Sequence, residues 1–365
     1  MKRRSTARKR AMYMRTALIC VLVMAALLAV NWYRRERPYK EYSVREVAGG
    51  GAADARMVTF GGRILRYSRA GAEVLGTGMT EIDKTPFEMT GPEARVNGSY
   101  ALVLDRGGRE ACLFGRDGFI ASLKTRGLIG NGAVSSGGNA VLIVKDGDIS
   151  AYFTDGQNGL LETGITFEGF VPIDAAISGN EGTLVFAGIR PATGESEIRF
   201  YNKNNRELTA SFVYENTVIP ELFALPGGRV LAAGDNRVFI FRAGREPKEL
   251  VSEEMDARIL MAVSDGKRAV LLTDGAEGGS REITVWDASG RSASQETDFE
   301  AVSAALCGNE ILLYNKSSLL IASVSGKIRF EGRTDEKGPL KACVRTGGGE
   351  YRVVTDYGAF EFDFE

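Results

Sequence analysis

The chain has 365 residues, a formal net charge of −1, and 45 glycines but only 9 prolines. It contains no histidine, which excludes Ser-His-Asp and Cys-His catalysis and the usual zinc sites with histidine ligands. The many glycines, together with short strand-like runs throughout, favour an all-β protein with tight turns over a helical or disordered chain.

Charge is distributed unevenly along the chain. Residues 1–40 contain eleven Lys or Arg and one acid, Glu36, which gives this segment a charge of +10. The remainder has 35 basic and 46 acidic residues and therefore a net charge of −11. Such a balance argues against a nucleic-acid-binding surface on the folded part.

No charged residue lies between Thr16 and Tyr33, and these 18 residues would span about 27 Å as a helix, close to the thickness of a bilayer core. The segment 16–33 is predicted to be a single transmembrane helix. A cleaved signal peptide is the alternative, but Leu27 would occupy the −3 position of a cleavage site after Ala29, where a small residue is needed.

Seven basic residues precede this segment, so the positive-inside rule predicts that the tail 1–15 is cytoplasmic. Residues 34–41 are then a linker, and residues 42–365 form an extracytoplasmic domain anchored in the cell membrane by one helix.

From Tyr42 to Glu365 a unit of about 40 residues repeats eight times, which predicts an eight-bladed β-propeller; seven blades are the alternative. In every unit a polar turn joins a continuous apolar run to an alternating run, and glycine, Asn and Asp in these turns tolerate the positive φ of tight hairpins. The turns are Ser68 to Gly71, Asp105 to Gly108, Lys145 to Asp148, an expanded loop around Pro191, Gly234 to Arg237, an expanded loop around Gly278, Asn315 to Ser318 and Thr355 to Gly358.

Each unit is predicted to contain four strands, of which the innermost carries small residues, the second is apolar on both faces, and the third carries aromatic core residues. The eighth unit ends after its third strand. We therefore expect Tyr42 to Val47 to pair beside the C-terminal strand and close the ring, because closure removes exposed sheet edges.

The sequence assigns no catalytic, cofactor-binding or metal-binding residue. Acid pairs occur at Asp146 with Asp148 and at Glu253 with Glu254, but turn carboxylates are far commoner than catalytic ones. Cys307 and Cys343 lie on neighbouring innermost strands; buried free thiols are the preferred interpretation, and a disulfide is the alternative.

Two expanded loops, 188–197 and 274–281, are predicted to emerge on one face of the ring. Both mix charge with glycine, and function in repeat folds tends to lie in such insertions. They are candidates for a binding face, with tolerated surface insertions as the alternative. The charged residues concerned are Arg190, Glu195, Glu197, Glu277 and Arg281.

Units such as Gly147 to Phe153 and Asn236 to Phe241, behind a basic tail and one apolar helix, resemble an uncharacterised family of membrane-anchored propellers from Gram-positive bacteria, a domain of unknown function. They are also similar to quinoprotein-like and YVTN-like propellers. Quinoprotein blades usually carry a docking tryptophan in each repeat, whereas only Trp286 lies in this propeller, so no quinone cofactor is expected.

These features together predict a protein-interaction or scaffold module of the cell envelope, with a protein partner and no catalysis. The alternative is a sensor that binds a small molecule or glycan in the propeller channel. Charged or aromatic side chains at a channel mouth would favour the sensor, and a channel filled by alanine and valine would count against it.

Overall fold

The computed structural model describes residues 16–47 except 28, 31, 32, 34 and 35, residues 55–154 except 77, and residues 161–365 except 256 and 276–279. The predicted cytoplasmic tail 1–15 lies outside these ranges. Residues 16–27 are helical, as are 29, 30, 33 and 36, and the apolar side chains of this segment, such as Leu18 and Leu27, are exposed. In the described residues we find no helix with both the length and the apolar character needed to cross a membrane.

Within the described ranges, 32 strands form eight four-stranded antiparallel sheets, and each sheet is one blade of a propeller. The strands of blades 1 to 4, in chain order, are β2 (Arg56–Phe60), β3 (Arg63–Ser68), β4 (Gly71–Leu75) and β5 (Glu81–Pro86); β6 (Pro92–Asn97), β7 (Tyr100–Asp105), β8 (Glu110–Gly115) and β9 (Gly118–Lys124); β10 (Leu128–Val134), β11 (Ala140–Asp146), β12 (Asp148–Thr154) and β13 (Leu161–Thr166); β14 (Val171–Ile177), β15 (Thr183–Ile189), β16 (Ser196–Asn202) and β17 (Leu208–Tyr214).

The strands of blades 5 to 8 are β18 (Glu221–Leu225), β19 (Arg229–Ala233), β20 (Arg237–Arg242) and β21 (Lys248–Glu254); β22 (Ile259–Ser264), β23 (Ala269–Thr273), β24 (Arg281–Asp287) and β25 (Gly290–Thr297); β26 (Ser303–Cys307), β27 (Glu310–Tyr314), β28 (Ser318–Ser323) and β29 (Ile328–Arg333); β30 (Leu340–Arg345), β31 (Glu350–Thr355), β32 (Ala359–Phe364) and β1 (Tyr42–Val47). A short 3-10 helix, Asp335–Lys337, precedes β30.

Local sequence explains the hairpins. In the turn between β11 and β12, Gly147 has φ of 77° and joins Asp146 directly to Asp148 across the ladder. A side chain at this φ would be strained, so glycine is the residue that closes the turn at least cost.

The core lies between the blades. One hydrophobic cluster fills each of the eight interfaces between neighbouring blades in the described part of the chain. Between blades 4 and 5, for example, the rings of Phe200 and Phe241 have centroids 5.5 Å apart. The second strands are buried on both faces and the third strands supply the large aromatic fillers, as the sequence predicted.

The ring closes through its last blade. β1 pairs antiparallel with β32, so that Tyr42 faces Phe364 and Val47 faces Ala359. The predicted closure and the predicted eight blades are therefore both confirmed, and the seven-bladed alternative is wrong.

Candidate functional site

Antiparallel connectivity gives the propeller two distinct faces. The turns between the first and second strands and between the third and fourth strands share one face, which we call the anchor face; neighbouring turns meet there, as where Gly61 N donates to Gly98 O at 2.7 Å. The turns between the second and third strands and the connections to the next blade share the other face, the loop face. Because β1 begins opposite Phe364, the chain enters the propeller at the anchor face.

Residues 36–41, predicted to be a linker, are bound to blades 7 and 8 at the anchor face. Tyr39 N donates to Arg329 O at 2.7 Å, and the Arg329 guanidinium lies over the Tyr39 ring at 4.0 Å. Glu36 accepts hydrogen bonds from the hydroxyls of Ser323 and Ser325 at 3.1 and 2.9 Å. The segment thus follows one path against the propeller.

Beneath this segment lies a buried polar network centred on Glu310. Its carboxylate accepts hydrogen bonds from the hydroxyls of Tyr351 at 2.6 Å and Tyr39 at 3.3 Å. It also pairs with Arg329 and, at 2.9 Å, with Arg345. Burial and the Glu310 charge raise the pKa of Tyr351, so this hydroxyl stays protonated as a donor.

The first predicted binding loop lies on the loop face, as do the described ends of the second. The described charges of both loops are largely paired within the loop or with adjacent strands. In the loop between β15 and β16, Arg190 pairs with Glu195 at 3.2 Å, and Thr193 donates to the same carboxylate at 2.6 Å. Glu197 lies in β16 rather than in the loop; it is buried and pairs with Arg199 at 3.0 Å. The loop is therefore only 190–195, shorter than the predicted 188–197.

The second loop lies between β23 and β24, and Glu277 and Gly278 fall outside the described residues. Arg281 belongs to β24, and its guanidinium lies 3.9 Å from Asp274. Because the two loops belong to blades 4 and 6, blade 5 separates them. Sharing a face does not make them neighbours.

Large exposed apolar side chains mark the loop face more clearly than the charged loops do. Val302, in the connection from blade 6 to blade 7, is 71% exposed, and Tyr357, in the turn between β31 and β32, is 77% exposed. Contiguous exposed apolar patches mark protein-binding surfaces, whereas single exposed apolar residues occur on most proteins, so these two residues are candidate contact positions. Neither residue was among the binding-face candidates predicted from the sequence.

The axis of the ring holds a cavity of about 220 Å³ lined by the innermost strands. Small residues form much of its wall, as predicted, among them Ala94, Ala133, Ala175 and Ala262. The wall is not uniformly apolar, however, because Arg95, Asp174 and Glu221 also line it.

These three residues come from blades 2, 4 and 5; Asn131 of blade 3 connects Arg95 to Asp174, and Arg95 pairs directly with Glu221. Arg95 Nη2 donates to Asn131 Oδ1 at 3.0 Å, and Asn131 Nδ2 donates to Asp174 Oδ1 at 2.9 Å. Leu222 N donates to Asp174 Oδ2 at 2.7 Å, and Arg95 Nη1 lies 3.7 Å from Glu221.

Burial, with the nearby Glu221 charge, raises the pKa of Asp174 to about 7. Burial also raises the pKa of Glu221, and the positive charge of Arg95 acts in the opposite direction and lowers it. The cluster was missed at the level of sequence. Its only signal there is a charge within a strand of otherwise small or apolar residues, as at Asp174 between Ile173 and Ala175.

The acid pairs do not form a metal site in the described residues, where no three metal-binding side chains lie together. Asp146 and Asp148 face each other across a turn, while Glu253 pairs with Arg291 and Glu254 with Arg237. Cys307 and Cys343 are both free and buried, so the preferred interpretation of these two thiols is confirmed.

Solved structures with the same fold differ widely in sequence. BamB from Moraxella catarrhalis is 12% identical and has a TM-score of 0.54, covering 88% of this chain and 100% of that one. The C-terminal WD40 domain of Sif2 is 12% identical with a TM-score of 0.61, covering 90% and 99%. The computationally designed Ika8 protein is 10% identical with a TM-score of 0.60, covering 88% and 98%. At such identities the likeness establishes the fold alone.

No curated protein matches the sequence. A family model matches residues 35–359, which include nearly the whole propeller and the docked segment before it. The chain therefore belongs to the family of unknown function DUF5711.

Proposed function

We propose that this protein is a membrane-anchored, extracytoplasmic interaction module whose loop face binds a protein partner in the cell envelope. The observation that carries the proposal is the docking of residues 36–41 at the anchor face. With the preceding helix in the membrane, this docking turns the anchor face toward the bilayer and the loop face away from it.

Membrane insertion of the 16–33 segment is supported by its lack of charged residues and by the exposed apolar side chains of its described part. The seven basic residues before it support a cytoplasmic N-terminus. An impermeant thiol reagent applied to intact cells tests this topology: Ser289→Cys, at an exposed turn of the propeller, should be labelled without lysis. Labelling only after lysis would place the propeller in the cytoplasm.

A protein partner is supported by Val302 and Tyr357, the two most exposed large apolar side chains of the described propeller, since both lie on the loop face. The chain offers no histidine, and the carboxylates singled out in the sequence are engaged in turns and ion pairs. We therefore propose binding without catalysis.

Site-specific photocrosslinking in cells tests the assignment of the face. A photoreactive residue in the full-length chain at position 302 or 357 should capture one discrete protein. The matched control is position 119, because Phe119 is also an exposed apolar residue, 41% accessible, but lies at a turn of the anchor face. Equal capture from position 119, or no capture from 302 and 357, would contradict the proposal.

A second variant tests the expanded loop of blade 4, all of whose residues are described. Replacing residues 190–195 by a two-residue turn removes the loop and leaves β15 and β16 intact. Loss of crosslinking in this variant would show that the binding face extends to blade 4. Unchanged crosslinking would restrict the binding face to blades 6 to 8.

A further inference from the structure

The axial cavity has an unbalanced charge. Arg95 supplies one positive charge, and the carboxylates of Asp174 and Glu221 line the same cavity. Glu93 also contacts Arg95, at 3.0 Å, but it has its own partner in Arg106 at 3.3 Å. The buried Asp174 and the partly buried Glu221 therefore share one guanidinium, which leaves one negative charge without a counter-charge among the described residues.

Such a charge is costly in a low-dielectric interior, and it is neutralised either by a proton or by a cation. The raised pKa of Asp174, about 7, corresponds to the first outcome below that pH when no ligand is bound. A bound cation would provide the second, and it would displace the proton. The charged and polar groups around the Asp174 carboxylate are Glu93, Arg95, Asn131 and Glu221, and Arg106 pairs with Glu93.

Glu221 is the carboxylate with acceptor capacity to spare. Asp174 already accepts from Asn131 and from Leu222 N, through different oxygens. Glu221 has its ion pair with Arg95 at 3.7 Å, longer than a hydrogen bond, and a third of its side chain is accessible, at 33%. As the first residue of β18, it lies toward the loop-face mouth of the axis.

The rest of the wall limits the class of ligand. A volume of about 220 Å³ is below the range typical of drug-sized ligands and somewhat above an engineered 150 Å³ cavity that binds benzene. The alanines and neighbouring apolar residues suit a hydrocarbon body. A metal ion would need more donors than the described residues bring together.

We propose that the axial cavity binds a small organic monocation, a primary amine with an apolar body of roughly six to ten non-hydrogen atoms, whose ammonium group pairs with Glu221. The site does not include Val302 or Tyr357 and does not depend on the proposed protein partner. The proposed ligands of the channel are therefore small primary amines.

Calorimetric titration of the full-length protein in detergent micelles tests the proposal with matched probes. Benzylammonium and n-hexylammonium are the cations, benzyl alcohol is the neutral near-isostere of the first, and benzoate is the anion. We expect saturable binding of at least one amine with a stoichiometry of one, at least about tenfold tighter than benzyl alcohol, and no binding of benzoate.

Glu221→Gln should weaken amine binding by about tenfold or more and leave benzyl alcohol unchanged. The matched control is Glu296→Gln on outer strand β25, where the carboxylate is exposed and away from the axis. Ala262→Leu narrows the cavity without changing a charge and should weaken binding of both amine and alcohol.

The thermal midpoint of each unliganded variant shows whether it has folded. Equal affinity for amine and alcohol, unchanged amine binding in Glu221→Gln, or no saturable binding of either amine would each overturn the proposal. Because the readout is ligand binding, these outcomes are independent of the photocrosslinking result.

Discussion

The hydroxyl of Tyr351 in blade 8 donates a 2.6 Å hydrogen bond to Glu310 in blade 7. This bond joins two neighbouring blades directly beneath the segment that leads to the helix, because Tyr39 contacts both residues through its hydroxyl at 3.3 Å. The same carboxylate thereby holds the blade interface and the path of the entering chain.

Removing this carboxylate should destabilise the propeller strongly. Glu310→Ala removes a carboxylate that pairs with the guanidinium of Arg329, whose side chain is only 4% exposed, and we expect a loss of about 3–5 kcal/mol in the free energy of unfolding. Denaturant unfolding of the full-length protein measures it. Glu331→Ala, an exposed position on β29 of the same blade, should change stability by less than about 0.5 kcal/mol. Similar values for the two variants would contradict a structural role for Glu310.

Closure of the ring should depend on Tyr42. Its ring stacks on Phe362 with centroids 5.4 Å apart and 4° between the planes, and its hydroxyl donates to Arg333 O at 3.0 Å. Tyr42→Ala should cost about 3 kcal/mol, whereas Tyr42→Phe removes only the hydrogen bonds and should cost about 1 kcal/mol.

Hydrogen exchange locates this effect. In Tyr42→Ala, amides of β32 should exchange faster than in the wild type, since their pairing with β1 opens more often. Tyr357→Ala, at a side chain that is 77% exposed, is the control and should leave the same amides unchanged. Unchanged exchange in Tyr42→Ala would mean that its contacts do not hold the closure.

Asp174 should make stability depend on pH. Its pKa in the folded protein is about 7, raised above the ordinary 3.8, so between these values the folded state holds a proton that the unfolded state has lost. The contribution to stability is therefore present at low pH and is lost as pH rises from about 4 through 7, with a slope of at most about 1.4 kcal/mol per pH unit.

Asp174→Asn removes this titration. Urea unfolding of wild type and variant at pH 5 and pH 8 should show that stability declines with pH more steeply in the wild type. Equal slopes would indicate that Asp174 is ionised throughout this range. Glu221→Gln provides a second comparison, since its charge contributes to the raised pKa of Asp174.

The propeller thiols should be unreactive in the folded state. Cys112, Cys307 and Cys343 are buried, and burial raises the pKa of each thiol, to about 12 for Cys112. A Cys20→Ala variant leaves only these three. A thiol-specific chromogenic reagent should detect none of them in the native protein and three after denaturation. Reaction of a native thiol would show that a blade interface opens.

The fold could be predicted because its determinants are local and repeat. The turn at Lys145 to Asp148 and the strand before it recur in each unit, and a missing outer strand in the last unit required a donor such as Tyr42 to Val47. Alternating and continuous apolar runs report burial strand by strand, which needs no knowledge of distant contacts.

The sites could not be predicted in the same way because their members are far apart in the chain. Arg95 and Glu221 are brought to 3.7 Å only by closure of the ring around the axis, and Tyr39 contacts Glu310 from 271 positions away. The length of the expanded loops was a weaker indicator of a binding site, because the charges of Arg190 and Glu195 form an ion pair with each other. A charge inside an apolar innermost strand was the better indicator of a special position.

Ring closure through β1 and β32 can occur only late in the synthesis of the protein. β1 is made before every other strand, and its partner emerges about 320 residues later, roughly 15 to 65 s at ordinary rates of translation. Until then blades 7 and 1 present apolar faces with no blade between them, and β1 has no strand to pair with. The ring can therefore close only after β32 has been synthesised. A chain truncated before β32 should keep exposed apolar surface and should bind chaperones and be degraded by proteases.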